Sequence, residues 1–490
     1  MRSSISLLIV ALLSSMIHDN SVLGDVRPSG LIADKMVLQQ GRKVPIWGTA
    51  DSGEKVSVRF RDQEAATVAV NGRWNVLIPS GRAGGPFPLT IIGKNTLEFQ
   101  DVLVGEVWLC SGQSNMGWPV ATRPNPKLLD GTENSQIRLF TVPERLSETS
   151  QEDVAGSQWQ SCGPQTVGKF SAVAYYFGRD LQQSLKVPVG LIHASYGGSS
   201  IFSWINPTAM QSADLHDLRQ PRLESRLYNG MVAPLRPYGL RGVIWYQGEA
   251  DARSPAVYQR LFPALIHGWR AEWKQGDFPF YFVQLAPYGQ IVNDPQESSW
   301  AALRKVQLRA SQTVPGTGMA VITDCGHETE IHPLPKQPVG QRLALLALAR
   351  TYGQQVVYSG PAFSGMTIKS GKATLIFQHV GGGLEARPMV LENVVKNART
   401  GQSGGALHVQ AANVAGAGAT AVLKGFTIAG ADRRFVNARA EIRGAQVVVW
   451  ADEITEPAVI RYGWADYPTG NLFNKEGLPA SPFEADKIAD

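Results

Sequence analysis

From residue 104 onward the chain carries five runs of almost uninterrupted apolar residues: 104–110 (VGEVWLC), 189–195 (VGLIHAS), 242–247 (GVIWYQ), 279–285 (PFYFVQL) and 318–324 (GMAVITD). A strand that is apolar at successive positions leaves neither face for water and must be covered on both sides. The segments between the runs supply the cover, with apolar residues at helical spacing over 170–185, 258–274, 300–312 and 339–352. Continuous strands alternating with amphipathic helices imply an α/β fold, an α/β/α sandwich around a five-stranded, mostly parallel sheet.

The flanks read differently. Residues 25–103 hold short alternating runs broken by turns, such as 55–60 (KVSVRF), 67–70 before Asn71-Gly72, and 74–78, which is the pattern of a small antiparallel β module. Alternation returns in 366–369, 373–377, 446–450 and 458–462 and predicts a second β module over 357–465, followed by a tail at 466–490. Within it, 401–419 is rich in Gly and Ala and predicts a flexible excursion. The α/β region at 104–353 is the expected catalytic unit.

At the amino end, Arg2 precedes an apolar stretch at 5–17 that is too short to cross a bilayer and is closed by His18-Asp19-Asn20. It predicts a signal peptide, residues 1–24, and a secreted or periplasmic protein with no membrane span after cleavage. The 46 Lys and Arg against 41 Asp and Glu leave +5 without long basic runs, which sets nucleic acid aside as a partner. Three cysteines, Cys110, Cys162 and Cys325, permit at most one internal bridge, and Cys110 and Cys325 end apolar runs as buried thiols do. Oligomeric state is not legible.

In open parallel sheets, ligands bind beyond the carboxyl ends of the strands. Polar residues gather there: Ser111-Gly112-Gln113-Ser114-Asn115 after the first run, Tyr196-Gly197-Gly198-Ser199-Ser200 after the second, Gly248-Glu249-Ala250-Asp251 after the third, and a loop holding His327, Glu330 and His332 after the fifth. Ser114 follows Gly112 by two residues, where a tight turn presents a hydroxyl as nucleophile. Met116 departs from the G-x-S-x-G elbow, and a serine capping a short helix is the plainer alternative. A serine nucleophile needs a base that titrates near neutrality. His332 and His327 both qualify, whereas His193 lies inside an apolar run and reads as core. No H-E-x-x-H or paired-cysteine spacing points to a metal, and no cofactor is called for.

Five blocks then stand in order: VWLCSGQSNM (107–116), ASYGGS (194–199), LYNGM (227–231), WYQGE (245–249), and IHP (331–333) with Val339-Gly340 and Arg342-Leu343. Together they resemble the sialate O-acetylesterase family, a branch of the SGNH (GDSL-like) hydrolases, over essentially the whole chain after residue 24. The resemblance implies an SGNH-type sandwich and a serine esterase that removes acetyl groups from an acetylated sugar or glycan. It assigns Ser114 as nucleophile and His332, over His327, as general base and then acid. It implies an oxyanion hole built from the backbone N–H groups of Ser114 and of Gly197 or Gly198, with the side-chain amide of Gln247, at a position where SGNH enzymes typically carry Asn. For the triad acid, Glu330 stands two residues before the histidine, where many members have Asp. Asp324 and a backbone carbonyl are the alternatives.

Two other classes compete. A glycosidase would draw two carboxylates from Glu249, Asp251, Glu328 and Glu330, but needs neither a serine nor a Gly-Gly loop. A non-catalytic sugar-binding protein would stack sugars on Trp118, Trp204 or Tyr246, which read equally as packing residues. As to substrate, the carboxylate of a sialic acid calls for a bidentate arginine, with Arg222, Arg226, Arg253 and Arg304 available, whereas acetylxylan or another polysaccharide ester calls for none.

Overall fold

The computed structural model describes residues 25–121, 129–154, 156–393, 407–411 and 421–487. The expected signal peptide lies outside them, as does the 401–419 excursion apart from 407–411.

The apolar runs form strands of one sheet; besides Val37–Gln39, which pairs parallel with residues 103–105 at its margin, its main path among the described residues holds six parallel strands rather than five. In chain order these are β1 (Thr96–Gly112), β2 (Asn134–Thr141), β3 (Val189–Ser195), β4 (Gly242–Tyr246), β5 (Phe280–Val283) and β6 (Thr317–Ala320). Their spatial order is β2-β3-β1-β4-β5-β6, with each neighbouring pair parallel and Gln160–Cys162 antiparallel on the β2 edge. The strand beyond the expected five is β2. Arg138 interrupts its apolar run, and a charge in mid-run reads as surface. The guanidinium is nonetheless buried, because two 2.8 Å bonds to Asp101 and one to the Ser135 carbonyl replace its water.

Alternate residues of each strand point to opposite faces, and both faces are dry. The cross-strand row Ile192, Leu109, Val243, Phe280 enters one core, while the next row, with Cys110, Ile244 and Tyr281, enters the other. The short helix α1 (Ser114–Gly117) follows β1. Helices α2 (Ala172–Leu185) and α5 (Gln337–Arg350) cover the second face, and α3 (Pro255–Trp273) and α4 (Ser299–Thr313) cover the first. Each fully buried Leu, Val or Phe at these contacts contributes about 1.5–3 kcal/mol. Helices α2 and α5 approach closely at Gly340, where a Cβ would stand 2.8 Å from backbone atoms of Val173 and Phe177.

The amino-terminal region is joined to this sheet, and the carboxy-terminal region is tied to helix α4 beside it. Strand β1 is 17 residues long. Its first half pairs with Gly84–Ile92 of the amino-terminal module, and its second half lies at the centre of the parallel sheet. The expected boundary at 103/104 therefore falls inside one strand. The carboxy-terminal region builds two four-stranded antiparallel sheets over its own core. The residues expected as a tail supply Leu472–Asn474 and Phe483–Asp486 to its sheets. Arg304, fully buried on α4, donates to the carbonyls of Leu285 and Ala286 on one side and of Ala465 and Asp466 on the other. Burial pushes its pKa down to about 9. The three cysteines are buried and unpaired with one another. Among the described residues, no helix is long and apolar enough to cross a membrane.

Candidate active site

The site begins with a glycine. Gly112 ends β1 at φ 142°, and a Cβ there would stand 2.1 Å from the carbonyl oxygen of Tyr246 on β4. Only glycine lets the turn close against that strand. Gln113 then locks the two loops together. Its N–H donates to the Tyr246 carbonyl at 3.0 Å, and its Oε1 accepts from the N–H groups of Gly248 and Ala250, each at 3.3 Å. Ser114 is the first residue of α1.

The loop after β6 brings His332 to this serine, with Nε2 at 2.9 Å from Ser114 Oγ. His332 Nδ1 lies 3.0 Å from Glu330 Oε1, which also accepts from the His332 N–H at 3.0 Å. A carboxylate only accepts, so Nδ1 carries the ring proton and Nε2 turns its lone pair to the serine hydroxyl. Trp118 lies flat on the imidazole, with ring centroids 4.6 Å apart and planes at 15°.

The rival residues have other tasks. Asp324 is buried and takes Arg342 in two 2.6 Å bonds, pinning α5 to the loop after β6. His327 Nδ1 accepts from the N–H groups of Thr329 and Glu330 at 3.1 and 3.0 Å and so shapes the turn that carries Glu330. His193, inside β3, bonds Ser195 Oγ at 2.7 Å.

Gly197 lies close to Ser114, and a Cβ built on it would sit 3.9 Å from Ser114 Cβ. Gly198 follows at φ 67°. Gln247 departs from expectation. Its amide nitrogen donates to the Ser199 carbonyl at 3.1 Å and to Asp251 Oδ2 at 2.5 Å, which spends both of its hydrogens. Asp251 in turn accepts from Ser200 Oγ and the Ile201 N–H, at 2.6 and 2.9 Å. Gln247 thus braces the Gly-Gly loop and has no donor left for an oxyanion.

Two further polar residues, Asn115 and Lys336, carried no role in the sequence, and Glu249 stood there only as a glycosidase carboxylate. Buried Asn115 donates to Glu249 Oε1 at 2.5 Å and to the Ile331 carbonyl at 3.0 Å, and buried Lys336 donates to its Oδ1. A lysine between two prolines reads as surface in a sequence, and an asparagine beside the serine reads as a turn former. The reciprocal pairing is visible only once the loops meet. Of the other weighed residues, Tyr246 and Trp204 are buried packing residues, Trp204 Nε1 bonding Ser199 Oγ at 2.9 Å. Arg304 is occupied by four carbonyls, Arg226 pairs with Glu148 at 3.0 Å, and Arg222 and Arg253 are exposed.

Residues 104–348 match the family model described as carbohydrate esterase, sialic acid-specific acetylesterase. Sialate O-acetylesterase of Homo sapiens is 31% identical over 414 residues, spanning 71% of this chain and 78% of the relative. The chain belongs to this family. The enzyme of Rattus norvegicus is 32% identical over 409 residues, spanning 68% of the esterase and 75% of the relative. A solved carbohydrate acetylesterase from Xanthomonas citri is similar to the esterase with a TM-score of 0.83 and 36% identity, over 95% of this chain and all of that one. That likeness takes in both flanking regions. Membership makes the chain a carboxylic ester hydrolase, and the glycosidase and non-catalytic readings give way to it.

Proposed function

We propose that the esterase hydrolyses O-acetyl esters of sugars through an acetyl-enzyme on Ser114. The observation that carries this reading is the contact chain from Ser114 Oγ through His332 to Glu330. In the first half-reaction, Ser114 Oγ attacks the acetyl carbonyl carbon while His332 Nε2 takes the hydroxyl proton. The same nitrogen then gives that proton to the departing sugar oxygen. In the second half, water attacks the acetyl-serine with His332 again as base, and acetate leaves. Glu330 keeps the imidazole in the right tautomer and faces the imidazolium as it forms, the task of the acid in such triads.

The developing oxyanion needs donors already in place. In this reading the donors are the N–H of Ser114, at the first turn of α1 where no intrahelical acceptor exists, and the N–H of Gly197, with Gly198 beside it. Removing one such donor costs about 100- to 1,000-fold in rate. In this reading the sheet from β3 to β6 and its helices form an SGNH-type sandwich that β2 extends. The catalytic region at 104–353 works with its two flanking β modules, and residues 1–24 direct export to a secreted or periplasmic location.

The family and its curated relatives are named for sialate esters, which makes an O-acetylated sialic acid the first substrate. A second reading, an acetylated polysaccharide, is favoured by the occupation of Arg304 and Arg226 by protein partners. The test is acetate release from acetylated sialic acid, acetylxylan and 4-nitrophenyl acetate by the parent, Ser114→Ala and His332→Asn. Both variants are expected to lose at least about 1,000-fold on every ester. Undiminished turnover by Ser114→Ala overturns the mechanism, whereas turnover of xylan alone keeps it and replaces the sialate.

A further inference from the structure

We propose that Lys336, Asn115 and Glu249 form a buried string that positions His332 against Ser114. The inference rests on the Ser114–His332 reading and gives a task to three residues that acetyl transfer leaves unused. Asn115 directly follows the nucleophile. Its amide nitrogen holds Glu249 Oε1 and the carbonyl of Ile331, the residue before His332, and its amide oxygen takes the ammonium of Lys336, four residues after His332. One short side chain therefore ties together α1, the loop after β4 and both sides of the histidine.

The polarity of the string is consistent along its length. A cation faces the amide oxygen and a carboxylate faces the amide nitrogen, so each end strengthens the hydrogen bond at the other. Glu249 Oε2 is buried without a hydrogen-bond partner among the described residues, which leaves Oε1 as the working end. Two buried charges joined through an amide are costly, and apolar side chains would fill the same space. What the charged string supplies is a fixed spacing between serine and histidine, where a misplacement of about 1 Å costs on the order of 100-fold in rate.

The ammonium is faced by Glu249 from the loop after β4, by Cys325 and Glu330 from the loop after β6, and by the Tyr246 ring at 5.6 Å. Burial pushes its pKa down to about 7 against the pull of Glu249. Loss of its proton removes the cation from the amide oxygen, so kcat acquires an alkaline limb that belongs to Lys336 and not to His332.

The experiment measures kcat and KM on 4-nitrophenyl acetate across pH for the full chain, with Lys336→Met, Glu249→Gln and Ser114→Ala. Lys336→Met is expected to lower kcat by about 10- to 100-fold, with KM within about threefold and no alkaline limb. Glu249→Gln keeps the acceptor for Asn115 but removes the counter-charge, which moves the alkaline limb to lower pH. That shift stands as the test should Lys336→Met fail to fold in a thermal melt. Parental kcat and pH profile in the folded variants overturn the string, provided Ser114→Ala is inactive. Activity retained by Ser114→Ala overturns the nucleophile and the string together.

Discussion

The indole of Trp118 lies face to face with the imidazole of His332, with centroids 4.6 Å apart and planes at 15°. The stack leaves the two ring nitrogens of His332 free in the ring plane, one for Ser114 and one for Glu330. It also presents an electron-rich face to the imidazolium that the proposed mechanism forms during attack, an interaction worth roughly 0.5–2 kcal/mol. Trp118→Leu keeps apolar bulk but removes that face. The expected result is a fall in kcat of about tenfold, with the melting temperature little changed. Steady-state kinetics beside a thermal melt check it, and a parental kcat would show the stack to be packing alone.

The two acids weighed for the triad are expected to separate cleanly. Glu330 is half exposed and, in the proposed mechanism, contributes by orienting the imidazole, so Glu330→Gln should lower kcat by about 10- to 100-fold and leave stability intact. Asp324→Asn should do the reverse. It leaves the buried Arg342 guanidinium without its charge partner, at a cost of about 3–5 kcal/mol. Urea midpoints and kcat of the folded fraction, measured on both variants, distinguish the two; a normal midpoint for Asp324→Asn would count against the buried pair.

Two glycines of the site should respond differently to one methyl group. Gly112→Ala places a Cβ 2.1 Å from the Tyr246 carbonyl oxygen at φ 142°, so the protein is expected to lose several kcal/mol and to be recovered poorly. Gly197→Ala meets only Ser114 Cβ, at 3.9 Å, so it should fold normally. Its methyl stands beside the nucleophile, where the acetyl group must enter, and KM is expected to rise. Expression yield, melting temperature and KM for the two variants, read side by side, test the contrast.

The buried charges of Lys336 and Glu249 should cost stability. A lysine whose folded pKa lies at about 7, against an unfolded value of 10.5, binds fewer protons in the native state than in the unfolded chain between those limits. Its contribution is therefore least favourable below pH 7 and improves as pH rises from about 7 to 10.5. Glu249, raised by burial, is a second cost of opposite pH dependence, growing as pH rises and its carboxyl ionises. The double variant Lys336→Met/Glu249→Gln removes both costs and is expected to melt higher than the parent at pH 6 and at pH 9, while turning over more slowly. A lower melting temperature at pH 6 would contradict this.

The sheet was legible because its strands are apolar on both faces, and five of the six strands along its main path announce themselves as nearly unbroken apolar runs. The sixth was hidden by Arg138, whose ion pair with Asp101 joins positions 37 residues apart that no local pattern connects. Ser114 and the loop of His332 could be read from their place after strand ends. Nothing local separated Gln247 as brace from Gln247 as donor, because its amide is claimed by Ser199 and Asp251, and a pattern of residue types carries no directions. The same holds for Lys336, whose partners arrive from α1 and, by way of Asn115, from the loop after β4.

Strand β1 runs without a break from the amino-terminal module into the centre of the parallel sheet and ends two residues before Ser114. Its spacing is about 3.3 Å per residue, and its faces alternate with each one. A single residue inserted between 96 and 103 would have to be absorbed as a bulge, or it would displace the nucleophile by one step and exchange the two cores along the rest of the strand. The small leading module thus serves as a gauge block for the catalytic serine. An esterase trimmed to the family-matched stretch would keep the serine and lose the edge against which its position is set.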